Sequence, residues 1–273
     1  MIQGPIGIFD SGYGGLTVFR AIADKLPQYD YIYLGDNARA PYGTRSFETV
    51  YEYTLECVKW FFDQGCPLVI LACNTASAKA LRSIQQKDLP TLAPDRRVLG
   101  VIRPTAEVIG RQSQTKKVGV LATKGTVNSK SYPIEINNFS PEVEIFQQAC
   151  PLWVPLIENN EYKNAGATYF IEKETKALLA QSNQIDTVLL ACTHYPIIAD
   201  QISRFLPSSV KLVSQGNIVA DSLADYLVRH GEMENRLHKN GTKKFFTTDD
   251  AADFENHASL FFGEPVKAEQ IKL

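Results

Sequence analysis

The 273 residues are 44% hydrophobic and 21% charged, a globular balance that excludes disordered and collagen-like classes and suits one large domain or two modest ones. Twenty-eight basic against thirty acidic residues leave a formal charge of −2, which argues against a nucleic-acid protein driven by a basic surface. Apolar runs such as Pro67–Cys73 are too short to span a bilayer, no secretion signal opens the chain, and five cysteines without a CxxC predict free thiols in a cytoplasmic protein, with neither a disulfide scaffold nor a metal site.

In chain order, Ile6–Phe9 reads as a buried strand that runs into Asp10-Ser11 and the glycine-rich GYGG of Gly12–Gly15. That segment lacks the spacing of a dinucleotide fingerprint and the Lys and Ser/Thr of a P-loop, so its glycines are read as permitting a tight turn and close helix–strand packing. Leu16, Phe19, Ile22, Ala23 and Leu26 form one face of a helix that Pro27 closes. Tyr31–Leu34 is a second strand. Tyr51, Thr54, Leu55, Val58, Phe61 and Phe62 predict a helix capped by Ser46 and ended by Gly65. Leu68–Ala72, Val98–Ile102, Val118–Leu121 and Thr187–Ala191 continue the strands. The alternation predicts an α/β fold with mainly parallel sheets.

Two segments repeat. Val69–Thr75 (VILACNT) overlays Val188–His194 (VLLACTH) at an offset of 119 (192 − 73), and the strand from Ile6 overlays that from Val118 at 112 (119 − 7). Buried strands resemble one another because all draw on Val, Ile, Leu and Ala. That does not account for a cysteine at the same strand end in both copies, so two related α/β halves are expected.

Ligands of open parallel sheets bind beyond the carboxyl ends of strands, and the unusual polar residues sit there: Asp10-Ser11, Asp36 to Gly43, Cys73-Asn74-Thr75, Thr123 and Cys192-Thr193-His194. Helix-start N–H groups beside them would suit a small anion. Cys57, Cys66 and Cys150 read as small core hydrophobes. Cys73 and Cys192 stand where a helix start would lower a thiol's pKa, with Asp10 and His194 as proton-handling neighbours. Two readings stay open on the residues alone: structural thiols, or a pair exchanging protons on opposite faces of one carbon.

FDSGYGGLTV (Phe9–Val18), YLGDNARAPYG (Tyr33–Gly43), LACNTAS (Leu71–Ser77) and LACTHYP (Leu190–Pro196) closely resemble glutamate racemase, with GVLATKGT (Gly119–Thr126) and CPLWVPLIE (Cys150–Glu158) similar to its second-half motifs. The resemblance implies two α/β domains with the active site between them, the first formed by residues 1–96 and 212–273 and the second by the inserted 97–211. It implies cofactor-independent interconversion of L- and D-glutamate for bacterial peptidoglycan, with Cys73 and Cys192 as the proton donor/acceptor pair, Asp10 assisting the first and His194 the second. Ser11, Tyr42, Gly43, Asn74, Thr75, Thr193, Thr123 and Thr126 would join Asp10 and His194 in holding the substrate, and Glu158 would support the second cysteine. A homodimer is expected, with no membrane or nucleic-acid partner. A racemase acting on aspartate, a binding protein without chemistry and a nicotinamide-dependent dehydrogenase are the competing readings. Residues 240–273 carry no motif.

Overall fold

Apolar, β-branched runs form strands where both faces of a sheet are covered. In the computed structural model, which describes residues 3–273, this holds for β1 (Ile6–Asp10), β2 (Tyr31–Gly35) and β3 (Leu68–Leu71), in which every residue is buried. With β4 (Arg97–Gly100), β9 (Lys243–Thr247) and β10 (Ala268–Gln270) they make a six-stranded sheet of order β10-β9-β2-β1-β3-β4. A second sheet, of order β6-β5-β7-β8, contains β5 (Lys117–Ala122), β6 (Glu144–Ala149), β7 (Thr187–Ala191) and β8 (Lys211–Val213). Strand pairing is parallel throughout both sheets. The molecule is thus built from two α/β domains, as expected.

The order β2-β1-β3-β4 recurs as β6-β5-β7-β8. Register repeats too. Gly7 of β1 pairs with Val69 of β3, and Gly119 of β5 pairs with Val188 of β7, at the offsets read from the sequence. Apolar composition alone dictates neither strand order nor register, so the two halves share one plan.

The chain crosses between the sheets later than the expected limits of 97 and 211. Arg97–Gly100 is hydrogen-bonded to β3 in the first sheet, with Val98 opposite Val69, and Lys211–Val213 to β7 in the second. The crossings therefore follow Gly100 and Val213.

Helix Phe47–Asp63 starts where Ser46 Oγ accepts the Thr49 N–H at 3.1 Å, and Gly65, at φ +82°, turns the chain after it. Its buried face is Val50, Thr54, Cys57, Val58, Phe61 and Phe62, with Tyr51 and Leu55 half-buried at the flank. Helix Leu16–Lys25 packs on helices Gly216–Arg229 and Ala251–Phe262, so the returning chain closes over the first sheet. Phe19 anchors that layer, its ring 5.1 to 5.9 Å from those of Tyr31, Tyr33, Phe245 and Phe262. Burying such a ring is worth roughly 2–3 kcal/mol. Among the described residues no helix is long and apolar enough to cross a membrane.

Candidate active site

Parallel strands put their carboxyl ends on one edge, and the two edges meet across a cavity. Its wall carries Ser11, Tyr42, Gly43, Cys73, Asn74, Thr75, Thr123, Glu158, Cys192, Thr193 and His194. Asp10 and Thr126, both fully buried, stand behind that wall. Cys73 follows β3 and Cys192 follows β7, each almost fully buried, so equivalent positions of the two halves present their sulfurs to one space.

Around Cys73, the Ser11 hydroxyl lies 3.4 Å from Sγ and the Ala76 N–H donates to Sγ at 3.4 Å. A lowered pKa was expected at this helix start. The structure gives the reverse: burial, joined by the charge of Asp10, pushes the Cys73 thiol up to about 12. Two weak hydrogen bonds do not offset the loss of water, so Cys73 rests as a thiol at neutral pH. Asp10 is itself raised to about 6, because burial outweighs the positive charge of His194 and the N–H bonds from Gly15 and Gly12, the latter 3.0 Å from Oδ1. A carboxyl titrating near 6 can hold or release a proton close to physiological pH.

Around Cys192 the arrangement differs. Its sulfur lies 3.9 Å from His194 Nδ1, and His194 Nε2 lies 2.8 Å from Glu158 Oε1. Burial opposes an imidazolium here, but the hydrogen bonds and charges of Cys192 and Glu158 outweigh it and raise His194 well above its ordinary 6.5. Helix Trp153–Glu158 delivers Glu158, held in place by Trp153, whose ring meets that of Tyr195 edge-on at 4.9 Å.

The remaining polar groups divide by what they already hold. Thr75 and Thr123 join their hydroxyls at 3.0 Å across the two halves, and Thr123 reaches Thr126 Oγ1 at 3.1 Å. The Tyr42 hydroxyl donates to buried Asp36, and Tyr42 and Gly43 both line the cavity. The Asn74 side chain is engaged at both ends, by Gln215 and Tyr132. Asn74 and Thr75 are the first two residues of their helix, whose N–H groups have no intrahelical acceptor and lie beside Cys73.

Sequence reasoning missed several contributors. Lys124 stands exposed at the mouth, and Val154 and Pro155 supply an apolar wall. Gly14 is pressed so tightly against the second half that a Cβ there would lie 2.3 Å from His194 Nδ1 and 2.4 Å from Thr193 Oγ1. The GYGG run was the available signal: Gly15, where a Cβ would lie 2.3 Å from Asp10 Cβ, packs the helix start on β1 as expected, whereas Gly14 packs on the second half. Phe261, from the motif-free C-terminal stretch, sets its ring edge-on to His194 at 5.3 Å, beside Tyr13.

A model of the Asp/Glu/Hydantoin racemase family matches residues 14–223. The chain belongs to that family. Its relatives among these racemases include the glutamate racemase of Roseobacter denitrificans, 41% identical over 266 residues that cover 94% of this chain and 96% of the relative. Among solved racemases, glutamate racemase isoform RacE1 of Bacillus anthracis superposes with a TM-score of 0.89 at 31% identity, covering 100% of this chain and 99% of the other. The glutamate racemase of Francisella tularensis, solved with D-glutamate, gives 0.87 at 30% identity, with 100% and 98% covered. The protein is accordingly an amino-acid racemase, an isomerase, which sets aside the dehydrogenase and the inert binding protein.

Proposed function

We propose that this racemase interconverts L- and D-glutamate by a two-base transfer at Cα, with Cys73 and Cys192 on opposite faces of the substrate. The observation that carries the reading is the pair of sulfurs, at equivalent strand ends of two related halves, lining one cavity. Relatives that are glutamate racemases over nearly their whole length support the choice of substrate.

In one direction the sulfur of Cys192, paired with the imidazolium of His194, takes the Cα proton, and the thiol of Cys73 gives one to the other face. In the reverse direction Cys73 must first lose its proton, and the neighbouring Asp10 carboxylate is the acceptor. The negative charge that develops on the substrate carboxylate is met by helix-start N–H groups of Asn74 and Thr75, by the hydroxyls of Thr75 and Thr123, and by Thr193. Ser11, Tyr42 and Gly43 hold the other end of the substrate, and exclusion of water strengthens each bond. This chemistry asks nothing of a cofactor. The chain is divided, on this reading, into an inserted domain from about residue 101 to 213 and a first domain made of the rest, supported by the strand membership of β4 and β8. It works as a cytoplasmic homodimer that supplies D-glutamate for bacterial peptidoglycan, a reading that rests on the family pattern.

The test is chiral assay of both glutamate enantiomers, in reducing buffer without added cofactor. Cys73→Ala and Cys192→Ala each abolish racemisation; substantial turnover by both would sink the two-thiol assignment. In deuterated water, deuterium enters mainly the newly formed enantiomer at early times, whereas equal labelling of recovered substrate would indicate a single base.

A further inference from the structure

Gln215 lies just after the returning crossing and is almost fully buried. Its Oε1 accepts from Asn74 Nδ2 at 2.8 Å. Its Nε2 donates to Tyr132 Oη at 2.7 Å and Thr105 Oγ1 at 2.8 Å, and lies 3.3 Å from the Val101 carbonyl. Tyr132 Oη donates in turn to Asn74 Oδ1 at 2.5 Å. One closed network thus connects the residue after Cys73, the outgoing crossing at Val101, the returning crossing at Gln215, and a helix of the second domain, Ser131–Phe139.

We infer that Gln215 is a positioning residue for racemisation: by tying both interdomain crossings to the Cys73 strand end, it sets how the two sulfurs face each other across the cavity. The inference rests on the two-thiol reading. The chemistry of the network demands an amide at this position, since Gln215 must accept from Asn74 and donate to Tyr132 and Thr105 at once. A carboxylate cannot donate and an alkyl chain can do neither. All four side chains are buried, so a missing partner leaves polar groups unsatisfied where water cannot replace it, and the network holds or fails as a unit. A base displaced by about 1 Å can cost about 100-fold in rate, so a latch between the domains acts on chemistry without touching substrate.

The test uses the full chain with Gln215→Met, which keeps length and removes the amide, and Tyr132→Phe, which removes one hydroxyl. Two reactions are compared at saturating substrate: racemisation of glutamate, which needs both sulfurs, and loss of HCl from 3-chloroglutamate, which needs one. In the second, the Cα proton passes to a thiolate, its electron pair forms the Cα–Cβ double bond, and chloride leaves. The expected result is a fall of about 10- to 100-fold in kcat for racemisation, with elimination changed by less than about threefold, per folded molecule counted by denaturant titration. Equal loss of both reactions, or unchanged racemisation per folded molecule, overturns the inference. Substantial racemisation by both the Cys73→Ala and the Cys192→Ala controls overturns the two-thiol reading, and this inference with it, by a separate pattern.

Discussion

Asp10 is a charge the fold would rather not hold, and Asp10→Asn measures how much. The side chain is fully buried, and its carboxyl titrates at about 6 against an ordinary 3.8. At about 1.4 kcal/mol per tenfold change in proton affinity, that difference is worth roughly 3 kcal/mol. The sign follows from which state binds the proton more tightly. Because the folded-state value is the higher, the favourable contribution of protonated Asp10 is fully present below about pH 4 and is lost as pH rises through about 6. Above that, the wild-type protein carries a buried carboxylate and Asp10→Asn does not. Denaturant titrations of both proteins from pH 4 to 8 therefore show their stability difference moving by about 2 kcal/mol in favour of the variant, most of it between pH 4 and 6. Taking the difference cancels the carboxylates that do not interact with Asp10, and also any pH-independent cost of fitting an amide against the Gly12 N–H. The same variant loses the proposed acceptor for the Cys73 proton and is expected to be slower as a racemase. A stability difference flat across this range, or one that moves the other way, would refute the reasoning.

Two further outcomes follow from contacts around His194. Glu158→Gln removes the charge from the partner 2.8 Å from Nε2; kcat falls by about tenfold or more, and the alkaline limb of the pH profile moves to lower pH because imidazolium loses support. Gly14→Ala puts a methyl group 2.3 Å from His194 Nδ1 and is expected to cost about 100-fold in kcat while far-ultraviolet circular dichroism stays that of the parent; activity near wild type would show that the turn can retreat.

The sequence was readable where one physical cause dominated. Ile6–Phe9, Tyr31–Leu34 and Thr187–Ala191 are buried on both faces, so apolar composition alone marked them. β6 (EIFQQA) and β9 (KKFFT) escaped notice because they are partly exposed, and a half-wet strand carries polar letters that match no simple period. The site divides in the same way. Polar residues directly after buried strands were conspicuous, since Cys-Asn-Thr and Cys-Thr-His break an otherwise apolar run at the strand ends where ligands of parallel sheets bind. Gln215, Tyr132 and Phe261 gave no such signal; each is ordinary in its own segment and acquires meaning only from what the fold lays beside it. The pKa of Cys73 misled for a related reason. Helix starts are visible in a sequence, whereas the depth of burial that outweighs them is not.

Two related halves supply two thiols, yet they do not supply two identical half-sites. The offsets that place Cys73 on Cys192 and Ser11 on Thr123 also place Asp10 on Ala122 and His194 on Thr75. Each sulfur is therefore served by a group that its counterpart lacks: Cys73 by a carboxyl titrating near 6, Cys192 by an imidazole raised well above 6.5. L- and D-glutamate have equal free energy in water, so kcat/KM must be the same in both directions at every pH. The asymmetry is confined to kcat and KM taken separately. In both directions kcat/KM should share an acid limb near pH 6, where free Asp10 takes up its proton. The two kcat profiles should part, with the direction in which Cys73 takes the Cα proton failing first on acidification, because on the proposed two-thiol mechanism only that direction needs Asp10 as a carboxylate. Initial rates from each pure enantiomer between pH 5 and 9 decide the matter, and kcat profiles that coincide throughout would mean that the two helpers, different as they are, do the same work.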